Sequence, residues 1–193
     1  MTELLLLNSE SATNRLVLLH GWGADENDLV PFGKLLTEGF KECFEIASFS
    51  APQPHPSGSG RQWYPLYPHE WEQIPNAVSD LEKRLNNLCL KKIPLDKTLL
   101  LGFSQGGAMA QEMLQLPLAD RIVGVVAIGT RLVRGMELRL RLAELDPKHL
   151  FWMHGEKDVR VSIQDGWAVA HTFEAAGWAL ELIEHKKGHM IPM

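Results

Sequence analysis

Ser104 stands at the centre of Gly102-Phe103-Ser104-Gln105-Gly106. The apolar run Thr98-Leu99-Leu100-Leu101 precedes it and the small-residue stretch Gly107-Ala108-Met109-Ala110 follows. A serine hydroxyl is a poor nucleophile, so it needs a base beside it and donors for the charge that builds on the attacked carbonyl. A sharp turn from strand to helix lifts such a serine out of regular structure, and glycines two residues to either side leave room for the strained backbone. In that setting Ser104 is expected to attack carbonyl carbons. The five-residue pattern alone is common; the strand before it and the helix after it give it weight.

A base and a carboxylate must come from elsewhere in the chain. His189 follows Gly188 just beyond the strand-like run 179–183. His185 adjoins Lys186 and Lys187 and reads as solvated. The pair His185 and His189 has Gly188 between its members and no supporting carboxylate, so no metal site is expected. Asp158 lies past the apolar run 150–153 and the turn at Gly155, with Glu156 as a rival inside that turn. The run 16–19 leads into His20-Gly21-Trp22-Gly23, a glycine-bearing turn suited to an oxyanion hole. There the backbone N–H groups of Trp22 and Gln105 are the expected donors, each contributing on the order of 10²–10³ in rate. His20 itself reads as a structural part of this turn. The order Ser104, Asp158, His189 is that of α/β-hydrolases and differs from those of trypsin-like and subtilisin-like proteases.

The elements that must position these residues alternate along the chain. Runs of strand character occupy 4–7, 15–19, 44–49, 98–102, 122–128, 150–153 and 179–183. Helical patterns fill 28–38, 71–90, 105–116 and 162–176. Consecutive apolar residues in the later strands fit strands covered on both faces, and the alternation predicts an α/β fold with a mostly parallel central sheet flanked by helices. In such sheets chemistry lies beyond the carboxyl ends of the strands, where all the candidates fall. The segment 50–68 carries five prolines, Gly58 and Gly60, with Trp63 and Tyr64 among them. It reads either as a functional loop or as a connector pinned to the core by its aromatics. In 130–145 arginines interleave with leucines. An amphipathic connecting helix with a solvated basic face is the plainer expectation, and a small flap over the acyl site, or a surface that contacts anionic substrates or lipid, is the alternative.

Composition sets outer bounds. The chain has 193 residues, 45% hydrophobic and 22% charged, which fits one domain spanning 1–193. A net charge of −5 leaves no basic excess to neutralise phosphates, so nucleic acid is not an expected partner. Cys43 and Cys89 match no metal-ligand spacing and no disulfide framework. Free thiols in a reduced cytoplasmic setting are expected. The leucines at 4–7 form too short a run for a targeting segment and read as an edge strand. No run reaches the length of a transmembrane helix. No Gly-x-Gly-x-x-Gly follows the first strands, which argues against a dinucleotide-dependent oxidoreductase.

Four segments together carry a resemblance: Leu19-His20-Gly21-Trp22-Gly23-Ala24-Asp25, Gly102-Phe103-Ser104-Gln105-Gly106-Gly107, His154-Gly155-Glu156-Lys157-Asp158 and Gly188-His189. With them the chain resembles the phospholipase/carboxylesterase family of α/β-hydrolases, which includes acyl-protein thioesterases and small bacterial carboxylesterases. The resemblance implies an α/β-hydrolase fold without a large cap domain. It implies cofactor-free hydrolysis of carboxylic esters of short-to-medium acyl chains, with acyl-protein thioesterase or lysophospholipase activity as the alternative. It assigns catalytic roles to Ser104, Asp158 and His189 and oxyanion roles to Trp22 and Gln105. A non-catalytic binding protein on the same scaffold is the reading outside enzymes. Small ester or thioester substrates are the expected partners, with a homodimer as the protein partner the family suggests. Trp63, Tyr64 and Leu138 are expected to contact substrate. There are departures. Trp22 stands where many relatives have leucine, and Pro65 replaces a usual aspartate. The chain stops four residues after His189, without the C-terminal helix that covers the sheet in relatives. Apolar surface near His189 is therefore expected to lack its usual cover.

Overall fold

The structure, a computed structural model, describes residues 4–7, 10–40, 43–90 and 92–192. In chain order the elements are β1 (Leu4–Leu7), β2 (Asn14–Leu19), α1 (Val30–Glu38), β3 (Phe44–Phe49) and a hairpin of β4 (Gln53–Pro54) and β5 (Arg61–Gln62). Next come α2 (Ile74–Cys89), β6 (Thr98–Phe103), α3 (Gln105–Glu112), β7 (Gly124–Ile128), α4 (Gly135–Leu142), β8 (His149–Gly155), α5 (Ile163–Ala175) and β9 (Ala179–His185). Seven strands form one sheet in the order β1-β3-β2-β6-β7-β8-β9, with β1 antiparallel to β3 and every other pair parallel. This is the α/β-hydrolase architecture, and among the described residues it carries no cap.

Alternation along the strands sorts the apolar side chains onto two faces. Val17, Leu19, Leu100, Val125 and Ala127 join one core cluster, whereas Leu16, Leu18, Leu101 and Ile128 join a second. The first face is covered by four helices. Helix α2 turns Val78, Leu81, Leu85 and Leu88 inward at the spacing of one helical stripe, α3 adds Met109, α4 adds Leu138 and Leu142, and α5 adds Val169 and Phe173. The basic segment around 130–145 thus contains an ordinary amphipathic helix whose leucines at 138 and 142 are core.

Helix α1 covers the second face, with Phe32 packed on Leu16, Leu18 and Ile46. Beyond α1 this face is bare: a groove of about 200 Å³ runs between Leu36, Phe40, Val126, Phe151, Met153 and Ile183. Phe151 and Ile183 are 42% and 52% exposed. After β9 the described residues continue as bends and coil, and the exposed groove lies between α1 and the strands β7 to β9, with His189 outside its lining.

Register is fixed at the start of β2, where Arg15 lies opposite Glu45 of β3. Their buried side chains pair at 2.5 Å, and the guanidinium also donates to the Ile93 carbonyl at 2.7 Å. A one-residue slip would strand both charges in the core and turn every leucine of β2 to the wrong face. Cys43 and Cys89 are free, as expected. Among the described residues no helix is long and apolar enough to cross a membrane.

Candidate active site

The turn from β6 into α3 is too tight for ordinary residues. Ser104 has φ of 54° and ψ of −115°, and it is the one non-glycine residue with positive φ among those described. Such a backbone persists where its surroundings over-determine it. Here the Ser104 N–H donates to the Ile128 carbonyl at 2.8 Å, at the end of β7. A Cβ on Gly102 would lie 2.1 Å from the Gly106 carbonyl oxygen, and one on Gly106 would lie 1.9 Å from the Leu19 carbonyl oxygen. The two glycines flanking Ser104 are therefore where backbone meets backbone.

His189 comes from the loop after β9 and Asp158 from the turn after β8. These two loops are laced together: Glu156 and Lys157 donate their N–H groups to the carbonyls of His185 and Lys187 at 2.9 and 3.1 Å. His189 Nδ1 lies 2.6 Å from Asp158 Oδ2, and its Nε2 lies 2.9 Å from Ser104 Oγ. A carboxylate only accepts, so Nδ1–H donates to it and Nε2 presents its lone pair to the serine hydroxyl. The other carboxylate oxygen accepts from the backbone N–H groups of Arg160 and Val161, both at 2.9 Å. Burial alone would push Asp158 up. The Val161 N–H, His189 and the Arg160 N–H together outweigh it and hold the group below the usual carboxylate range.

Behind this pair sits His154, wholly buried on β8. Its Nε2 donates to the Val161 carbonyl at 2.9 Å and lies 3.5 Å from Asp158 Oδ2. Residue type alone does not single it out, because a histidine inside an apolar strand looks like any core residue. Its signal was its place in the segment leading to Asp158. Glu156 is exposed and pairs with Lys186 rather than with His189.

The turn of His20, Gly21, Trp22 and Gly23 closes the site from the end of β2. His20 Nε2 accepts from the Ala51 N–H at 3.0 Å, so the neutral ring carries its proton on Nδ1 and donates to the Gly21 carbonyl at 2.7 Å. Burial lowers its pKa, against a smaller opposing effect of the Gly21 carbonyl. The ring is a neutral strut. Hairpin residues clamp the same turn: Gly23 N–H donates to the Arg61 carbonyl at 2.9 Å, and Arg61 N–H to the Ala24 carbonyl at 2.8 Å. Neither Trp22 N–H nor Gln105 N–H has a hydrogen-bond partner among the described residues, and both residues line the cavity that contains Ser104 and His189. Gln105 opens α3, where a backbone N–H has no intrahelical partner.

The side chain of Gln105 has a separate role. Its Oε1 accepts from Trp63 N–H at 2.9 Å and its Nε2 donates to the Tyr64 carbonyl at 2.7 Å. Trp63 is wholly buried, with its indole N–H on the His20 carbonyl at 2.9 Å. Tyr64 lines the cavity; Trp63 and Leu138 do not. Trp63 pins the loop 50–68 to the core, and Leu138 belongs to the packing of α4. Gln105→Ala would leave two buried backbone groups unpaired, which costs about 1–3 kcal/mol each. Chemical denaturation of that variant is expected to show a loss in this range.

Glu112, buried on α3, is held by Arg134 at 2.5 Å and by Gln115 at 2.8 Å. Burial raises its pKa to about 7, despite the opposing pull of Arg134. The folded carboxyl therefore binds its proton more tightly than the unfolded one, whose ordinary value is 4.5. Its contribution to stability is full below about pH 4.5 and is lost as pH rises to about 7. Each pH unit of that window carries about 1.4 kcal/mol, and each kcal/mol moves the melting point of a domain this size by roughly 2–4 °C. Between pH 5 and pH 8, Glu112→Gln is expected to lose less melting temperature than the parent, by on the order of 5 °C.

The cavity that Ser104 opens into has a volume of about 650 Å³. Among the described residues no three His, Cys, Asp or Glu side chains gather closely enough to hold a metal ion.

Residues 5–192 match the profile of the phospholipase/carboxylesterase family. The chain belongs to the phospholipase/carboxylesterase family. Within reach of that family, an acyl-protein thioesterase 1 of Cryptococcus neoformans is 24% identical over 185 residues, covering 86% of this chain and 75% of the relative. The crystal structure of esterase PE8 superposes with a TM-score of 0.85 at 25% identity, covering 99% of this chain and 91% of that one. The Bacillus cereus carboxylesterase shares the fold, with a TM-score of 0.81 at 18% identity, covering 100% of this chain and 89% of the other. The family is one of serine esterases and thioesterases.

Proposed function

We propose that this protein is a serine carboxylesterase that hydrolyses carboxylic esters of short-to-medium acyl chains through an acyl-serine intermediate. The observation that carries this reading is the continuous relay from Asp158 through His189 to Ser104, at 2.6 and 2.9 Å, opening into the cavity. In the first half of the cycle, Ser104 Oγ forms a bond to the substrate carbonyl carbon while its proton passes to His189 Nε2. Asp158 holds the ring in the required tautomer and stabilises its positive charge. The oxyanion takes hydrogen bonds from Trp22 N–H and Gln105 N–H. Collapse breaks the bond to the leaving group, which departs with the proton from His189. Water then attacks the acyl-serine with His189 as base, and the acid leaves with Ser104 restored.

The relative named as an acyl-protein thioesterase favours a second reading, with a thiol as leaving group and the same serine chemistry. Matched esters and thioesters of two, eight and sixteen carbons separate the two. The esterase reading expects kcat/KM to be highest for oxygen esters at two or eight carbons. A clear preference for sixteen-carbon thioesters would replace it. Labelling by a fluorophosphonate tests the shared chemistry, and an intact protein that takes no label at Ser104 would remove both.

A further inference from the structure

Most of the arginines in this chain have a polar partner. Arg15, Arg134 and Arg141 form ion pairs, Arg61 and Arg84 donate to backbone carbonyls, and Arg139 reaches Thr172. Among the described residues only Arg121, Arg131 and Arg160 have side chains without a hydrogen bond or ion pair, and two of these three line the cavity beside Ser104. Arg131 is half-buried there, which removes part of its hydration without supplying an acceptor.

A second observation points the same way. Thr130, just before Arg131, is 1% exposed and lines the same cavity, and its hydroxyl has no partner. Buried hydroxyls are ordinarily satisfied, so an orphan at a cavity wall marks a place for a ligand atom. The one carboxylate on this wall outside the relay, Asp28, pairs with neither arginine. Tyr64, Leu66 and Val159 supply apolar surface between the charged groups. Thr130, Arg131 and Arg160 thus bring donors to this wall whose side chains have no acceptor among the described residues.

We propose that the cavity takes a substrate bearing a negatively charged group, carboxylate or phosphate, held by Arg131 and Arg160 with Thr130 donating to it, while the ester bond lies at Ser104. Guanidinium forks match the two oxygens of such groups, and a hydrogen bond between ions is roughly twice as strong as a neutral one. The proposal rests on the esterase reading for its reaction and names the class of substrate.

Its test uses ester pairs that differ in charge. Butyl acetate is compared with 4-acetoxybutanoate and 3-acetoxypropyl phosphate, and p-nitrophenyl hexanoate with the mono-p-nitrophenyl ester of adipic acid. The expected result is a kcat/KM at least tenfold higher for an anionic ester than for its neutral partner. The stronger of the carboxylate and phosphate arms identifies the group. That ratio is expected to fall about tenfold in Arg131→Gln or Arg160→Gln, to fall less in Arg131→Lys, and to stay unchanged in Arg121→Gln. Calorimetric titration of glutarate and of inorganic phosphate into the protein reads anion binding without turnover, and Arg131→Gln is expected to weaken the better ligand by about tenfold. Neutral and anionic esters turned over equally well would overturn the proposal while leaving the esterase intact. Anion binding without turnover of any ester would overturn the esterase reading and uphold the anion site. Neither preference nor binding would end the proposal outright.

Discussion

Ser104→Ala is expected to lower kcat/KM for p-nitrophenyl acetate by on the order of 10⁴–10⁶-fold, because members of a nucleophile–base–acid unit fail together. The variant keeps its fold. Alanine at φ of 54° meets the same backbone penalty as serine, and the hydrogen bond from residue 104 N–H to the Ile128 carbonyl does not involve the side chain. Melting temperature should therefore stay within a few degrees of the parent, so that lost turnover reports lost chemistry. A residual rate within tenfold of the parent would take Ser104 out of the mechanism.

Gly106→Ala is expected to fail in the opposite way, through the fold. Its Cβ would stand 1.9 Å from the Leu19 carbonyl oxygen and 2.6 Å from that of His20, and neither atom belongs to a side chain that can swing aside. Relief requires α3 to lift from the end of β2, which unpacks Met109 and displaces the turn that carries Trp22. We expect a loss of more than about 4 kcal/mol, beyond the usual range for single substitutions. That corresponds to a fall in melting temperature on the order of 10 °C or more. A melting temperature within 2 °C of the parent would show that α3 and the end of β2 are not in backbone contact at Gly106.

These two residues also show why so much of the site was legible in sequence. Gly102, Ser104 and Gly106 signal a turn because only certain residue types survive it, and Gly21 and Gly23 do the same at the end of β2. The alternation at Leu16, Val17, Leu18 and Leu19 encodes both faces of the sheet, and the short run at 4–7 is the edge strand it resembles, antiparallel to β3. Other features depend on contacts between distant segments and leave no local mark. His154 is an apolar-strand histidine until the turn after Asp158 brings the Val161 carbonyl over it. Trp63 and Tyr64 are adjacent aromatics in one proline-rich loop, both buried in the core, yet only Tyr64 also borders the cavity. The side chain of Gln105 binds the backbone of both. The hairpin of β4 and β5 is two residues long on each side, too short to show a period. The unpartnered state of Arg131 is visible only once every other arginine has been placed.

Gln105 and the hairpin have a consequence for how this protein can change. The turn offering Trp22 N–H is clamped by Arg61, and Gln105, which offers the other free N–H, pins Trp63 and Tyr64. On the proposed mechanism, residues 61–64 therefore touch both the cavity wall, through Tyr64, and the two N–H groups assigned to the oxyanion. Variation there is expected to change rate and selectivity together. Leu66 borders the same cavity without sharing in these hydrogen bonds, and substitution at that position is expected to change substrate preference while the rate is left alone.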